Sequence, residues 1–302
     1  MCTTQDDLEI PEFGQCAFDH FIMEKWDASS QLTRSEQHRF LVASWLNLGI
    51  YGRNVYFQHM INTWDGAVPE NVPKDLLSDD DRITNIGSSN VAWIRTWYGN
   101  EGKGLEDGET ITRSSADESY RRLYRRAILC LDEGQDESDL AEPNEIPIGR
   151  HDCHDDDPEA LGMAESNSDE EIVTPGEIPL FALSMFMKVP DTLDGLSMSS
   201  FWRDDDEEAK KEMKEQLPLR QHFLLFVADR EACERGWVLQ VALNHKGQVL
   251  PYRVRGRAAW TKNHVVHWIA MGRNLDATDE QEDTIVYSAD GQVYAETGNG
   301  WD

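Results

Sequence analysis

The residues of this chain with the chemistry to form a site are histidines, clustered acids and one short row of arginines. His151, Asp152, Cys153 and His154, followed by Asp155, Asp156 and Asp157, place the common metal-ligand types within seven residues. Structural zinc sites take two ligand pairs from a rigid frame. This run offers one pair inside the most acidic part of the chain, so it is expected to be polar chain and not a metal centre. His264 and His267 form an H-x-x-H. On a helix that spacing turns both rings to one side. On the strand that Val265–Met271 predicts, residues three apart face opposite ways, and no glutamate completes an H-E-x-x-H. Core or turn histidines are expected at both positions, and His245 reads as a turn residue.

Other catalytic patterns are missing from the sequence. It holds no G-x-S-x-G and no S-x-x-K with downstream partners. Cys16 with Asp19 and His20 is a local cluster only. Gly102, Lys103, Gly104 and Gly108 lack the leading strand and the following Ser or Thr of a phosphate loop. No cofactor and no metal are expected, and no catalytic residue can be named. An enzyme whose histidines and acids meet only in space stands as the third functional reading.

Arg253, Arg255 and Arg257 recur at i, i+2, i+4, which on a strand points all three to one face. With Lys262 they form the candidate ligand-binding face, and Tyr252, Trp260 and Trp268 supply nearby rings. Planar guanidiniums in a row suit phosphates or carboxylates. A nucleic-acid-associated accessory protein that holds a single strand on this face is the second functional reading. The plainer alternative is a solvated outer strand face. Arg121, Arg122, Arg125 and Arg126 raise the same choice on a helix, where they oppose the apolar stripe Tyr120, Leu123, Tyr124, Ala127, Ile128, Leu131.

The 302 residues hold 28 Lys and Arg against 57 Asp and Glu, a formal net charge of −29. That charge works against unspecific binding to nucleic acid or to an anionic membrane. It speeds the encounter with a protein partner that has a basic surface. The first functional reading is therefore a non-enzymatic interaction protein, an inhibitor, immunity-type protein or regulatory scaffold that binds such a partner through its acidic surface and linker. Acids at positions 6, 7, 9 and 12 replace the cationic and apolar regions of a signal peptide. No run approaches the roughly 18 apolar residues of a membrane span. Five scattered cysteines without a C-x-x-C point to a reducing, cytoplasmic setting.

The elements that must hold these residues predict an α+β fold in three parts. Residues 1–131 read as a helix-rich domain: a strand-like arm over 8–24, a helix capped by Thr33 and Glu36 and interrupted at Gly49 and Gly52, a second helix over Val55–Trp64, another across Ser89–Tyr98, and the striped helix 116–131. Residues 132–176 read as an acidic, disordered linker. Between 131 and 177 lie seventeen acids, one basic residue and no aromatic residue, too little apolar surface to offset the entropy of ordering. Residues 177–302 read as an antiparallel β-rich α+β domain. Its expected strands are Leu180–Val189, Phe223–Val227, Trp237–Leu243, Val249–Arg257 and Val265–Met271, with a hairpin of Thr284–Ser288 and Gln292–Glu296. A turn at Asn244–Gly247 and one covering helix over 204–216 complete an antiparallel meander.

Overall fold

The computed structural model describes residues 16–63, 68–77, 90–99, 113–129, 149–152, 175–188, 211, 215–275, 284–287 and 300–301. Runs rich in β-branched and aromatic residues form the centre of the fold. Strands β1 (Val91–Arg95), β2 (Gly149–Asp152), β3 (Phe223–Ala228), β4 (Trp237–Leu243), β5 (Val249–Arg257) and β6 (Thr284–Tyr287) make one mixed sheet. Their order is β2-β1-β3-β4-β5-β6. β3 to β6 form the antiparallel meander read from the sequence, while β1 pairs in parallel with both β2 and β3.

Helices cover both faces. One core packs α1 (Ala17–Lys25), α2 (Arg34–Thr63) and α4 (Leu180–Lys188) on Ala92, Ile94, Phe223, Leu225, Leu239 and Val241. The opposite core packs α3 (Arg113–Ala127), α5 (Arg230–Arg235) and α6 (Thr261–Ala270) on Val91, Trp93, Leu224, Phe226, Val238 and Val254. The alternation along β1 and β3 between the two cores is the period-two geometry of a strand buried on both sides. The architecture is α+β, with helices filling the N-terminal region and helix-covered strands towards the C-terminus.

Several local expectations change. Ser89–Tyr98 is not a helix: Val91–Arg95 is a strand, because its unbroken apolar run is covered on both faces, and the Trp93–Trp97 spacing is incidental to that. Leu180–Lys188 is a helix where a buried strand was expected. Its apolar residues are Leu, Phe, Ala and Met, with no β-branched side chain in the helix, and Pro179 opens its first turn by accepting from Leu183 N–H at 2.8 Å. Val265–Ala270 belongs to helix α6, whose buried Thr261, His264, Val265 and Trp268 follow the 3.6-residue period. Of the arm expected over 8–24, residues 8–15 lie outside the described residues and Ala17–Lys25 is helical, its start secured by Cys16 N–H donating to Asp19 at 2.9 Å.

Within the expected linker, Gly149–Asp152 is ordered as strand β2 against β1; most of 132–176 lies outside the described residues, as does most of the helix expected over 204–216. The sheet joins β1 from before residue 131 to strands from after 177, and both cores mix side chains from the two parts.

Local chemistry explains other features directly. Thr33 N–H and its hydroxyl both donate to Glu36 at 2.7 Å, and Glu36 N–H returns to the Thr33 hydroxyl at 3.3 Å. Those bonds hold the Glu36 carboxyl below its usual range. In the β4–β5 turn, Asn244 Oδ1 accepts from Lys246 N–H and Gln248 N–H at 2.8 and 3.1 Å, and Gly247 takes φ +72°.

Gly49 breaks α2 with φ +63°, which costs the helix its Ile50-to-Leu46 hydrogen bond. Both orphaned groups are satisfied from elsewhere. Ile50 N–H donates to His245 Nδ1 at 3.2 Å, and Arg53 Nη1 donates to the Leu46 carbonyl at 3.2 Å. Arg53 Nη2 also donates to the His245 carbonyl at 3.1 Å. A Cβ on Gly49 would stand 2.5 Å from His245 Cε1. Gly49→Ala should therefore cost about 1–3 kcal/mol, read as a lower urea midpoint with unchanged slope; an unaltered midpoint would show that this joint relaxes freely.

Candidate interaction surface

Arg255, the middle residue of the arginine row, is not open to solvent. Arg253, Arg255 and Arg257 sit opposite Val241, Leu239 and Trp237, and Val241 and Leu239 belong to the core under α1, α2 and α4. Arg255 is 1% exposed. Its guanidinium donates to both Asp229 carboxylate oxygens at 3.2 and 2.7 Å and to the Trp237 carbonyl at 3.0 Å. Glu231 stands 3.2 Å from its Nε. Asp229 also caps α5 by accepting from Ala232 N–H at 2.9 Å. Arg255 is thus an internal tie between β5 and the start of α5, which corrects its place in a ligand-binding face.

The other members of that face are scattered. Arg257 is half-buried over the Trp237 ring, 5.7 Å from its centroid. Lys262 is half-buried in the first turn of α6. The Arg253 and Tyr252 side chains lie outside the described residues. Trp268 is buried, while Trp260 is exposed. On α3, Arg122 lies over the Trp301 ring at 4.3 Å and Arg126 Nε donates to the Trp301 carbonyl at 3.3 Å, so this helix docks against residues near the end of the chain.

His264 and His267 share one helix instead of a strand, which turns both rings to a similar side. His264 is 1% exposed, with Nδ1 2.6 Å from Gln240 Nε2. Burial, then the neighbouring His267, pushes its pKa down to about 4. Gly256 makes room for this pair, since a Cβ there would overlap Gln240 Nε2 and His264 Cε1. Among the described residues, no group of three or more His, Cys, Asp or Glu is placed to hold a metal ion. Cys153, His154 and the acids that follow them are outside the described residues. Cys16 and Cys233 are both buried. Burial first, then Asp229, pushes the Cys233 pKa up, which leaves it without nucleophilic character at neutral pH.

What the molecule does present is apolar. Val266 and Ile269, one turn apart on the outer side of α6, are each about half exposed (52% and 54%), with Trp260 ahead of them and Met271 behind also exposed. Leu219, at 77% the most exposed of these, lies two residues before Gln221. Gln221 is tied to the end of α6 by Trp268 Nε1–H and Leu275 N–H, both donating to its Oε1 at 2.8 and 2.9 Å. Gln221 Nε2 also reaches Asn274 Oδ1 at 3.3 Å.

The stretch of sequence that carries this surface has a charge unlike that of the whole chain. Residues 236–275 contain no Asp or Glu, but hold Lys246, Arg253, Arg255, Arg257, Lys262 and Arg273, in a protein with 57 acidic residues. Counting acids along the sequence, instead of looking for arginine rows, marks the sector at once. Val266 and Ile269, which the strand reading of Val265–Met271 passed over, stand on its outer side. Among the described residues no helix is long and apolar enough to cross a membrane. No family model, curated protein or solved structure matches this chain.

Proposed function

We propose that this chain is a non-enzymatic interaction protein that docks a protein partner on the outer side of α6. The observation that carries this reading is the exposure of Val266 and Ile269, flanked by Trp260 and Met271, on a helix with no carboxylate. Apolar side chains on an outer helix face, rimmed by polar groups, suit a protein contact. Lys262 and Arg273 at its two ends favour a partner segment whose apolar residues are bordered by carboxylates. A partner with a basic surface, the choice that net charge alone suggests, would instead engage the acidic stretch 131–177.

Salt separates these two partners. Binding on α6 rests on apolar contact and survives 0.3 M salt, whereas a basic partner drawn by the acidic stretch weakens as screening shortens to under ~8 Å. The test is to co-purify the partner and then measure its affinity for Val266→Asp/Ile269→Asp, with folding checked by circular dichroism. Affinity should fall about thirtyfold or more, since these positions would be the centre of the contact. Unchanged affinity in that double variant overturns the reading.

The single-strand reading of Arg253, Arg255, Arg257 and Lys262 has less support, because Arg255 is committed to Asp229 and Glu231.

A further inference from the structure

One cluster of titratable side chains takes no part in the surface on α6. It lies between α1 and the later part of α2, two helices that pack on the opposite side of the sheet from α6. α1 carries His20 and, four residues on, Glu24. That spacing sets both on one stripe of the helix. α2 brings Tyr56 and His59 to the same place. Phe21 fixes the approach of the two helices, since its ring meets Trp45 and Tyr56 with centroids 5.5 and 5.3 Å apart.

The result is a pair of imidazoles from two helices. The rings of His20 and His59 have centroids 5.2 Å apart and planes at 81°. His20 is 5% exposed, while His59 is open to solvent, so the pair has one fixed member and one at the surface. Glu24 stands beside them. Its carboxylate meets Lys25 Nζ at 2.7 Å. Lys25, then the Tyr56 hydroxyl and more weakly His59, hold that carboxyl below its usual range. Burial, then the bond to Glu24, pushes the Tyr56 pKa up to about 12.

Imidazoles suit zinc, copper and nickel. Two of them on one tetrahedral ion, each bound at about 2.0–2.1 Å, have ring centres roughly 5 Å apart, the separation found here. An edge-to-face ring contact spans the same distance. What favours an ion is the carboxylate that α1 adds one turn from His20, because a ring contact has no use for it.

We propose that His20 and His59 bind a divalent zinc-class ion between α1 and α2, with Glu24 turning in as the third ligand. As placed, Glu24 does not complete a group of three ligands. Its side chain is half-exposed, and on binding it exchanges Lys25 and Tyr56 for the ion. Water takes the fourth position, as in zinc sites with three protein ligands. The ion would join the two helices and stabilise the fold by binding it alone.

The experiment titrates zinc chloride into the full chain at pH 7 by calorimetry. It also follows the melting temperature and the ring resonances of His20 and His59 against those of His264. One ion per chain should bind, shift His20 and His59, leave His264 in place and raise the melting temperature. His59→Ala, at an exposed position, should abolish this binding, and Glu24→Gln should weaken it about tenfold or more. A Cys153→Ser/His154→Ala chain, which removes ligand types from the run at 151–157, should bind zinc as before. Absence of saturable binding overturns the proposal. So does binding that is unchanged in His59→Ala or Glu24→Gln, or lost in the Cys153→Ser/His154→Ala chain. In those cases the two imidazoles are a ring contact only. None of these outcomes touches the docking surface on α6.

Discussion

Lowering the pH from 7 to 5 should cost this fold about 6 kcal/mol of stability. His222, His245 and His264 are buried and held neutral, with pKa values pushed down to about 3, 4 and 4, in each case chiefly by burial. Once unfolded, each returns to about 6.5. Below that value the unfolded chain binds three protons that the folded chain refuses, so stability falls with decreasing pH at about 4 kcal/mol per unit. The contribution is whole above pH 6.5 and is lost as pH falls towards the folded values. By pH 5 the loss is about 6 kcal/mol, against a total of about 5–15 kcal/mol for a typical domain.

Relief of the −29 charge acts in the opposite direction, but Asp and Glu titrate near pH 4, so it enters mostly below this window. For His245 the cost has a visible mechanism, because a proton on Nδ1 removes the acceptor that holds Ile50 N–H at the break in α2. Urea titrations at pH 7, 6 and 5 check the expectation. Stability that stays level across those three values would mean that the three rings are not buried neutral bases.

Arg255→Ala should cost about 3–5 kcal/mol. The substitution removes the cation that faces the Asp229 carboxylate at 2.7 Å in a site where Arg255 is 1% and Asp229 6% exposed. Asp229 must then stay charged in the interior or give up its cap on Ala232. Glu231 is a quarter exposed and can turn to water, so the cost concentrates on Asp229. The combination Arg255→Met, Asp229→Asn and Glu231→Gln should recover much of the loss, because it removes the stranded charges and keeps the volume. Urea unfolding of the single and triple variants separates the two cases. A loss under about 1 kcal/mol for Arg255→Ala would show that the tie adds little beyond packing.

Both effects turn on groups that the sequence displays but does not pair. The arginine row is legible at 253, 255 and 257. Its direction is not legible, because the carboxylates that claim Arg255 come from a different connection, 26 and 24 residues earlier in the chain. His245 looks like one residue of a polar turn. It becomes a helix cap only because Gly49, almost two hundred residues away, breaks α2 beside it. The apolar surface on α6 was hidden behind an assignment of Val265–Met271 to a strand, which would have placed its alternate residues inside.

The sequence by itself determined whatever rests on groups a few residues apart. The Thr33–Glu36 cap, the break at Gly49, the Asn244–Gly247 turn, the stripe along α3 and the strands β3, β4 and β5 all depend on bonds or periods that close within one element. Tertiary structure decided what depends on coverage. Val91–Arg95 is a strand because helices lie on both of its sides, and Leu180–Lys188 is a helix because its apolar residues, none branched at Cβ, meet α2 and the sheet. The physical reason is that a short apolar run gains about as much from burial in either conformation. The choice therefore passes to whatever surface the rest of the chain brings against it.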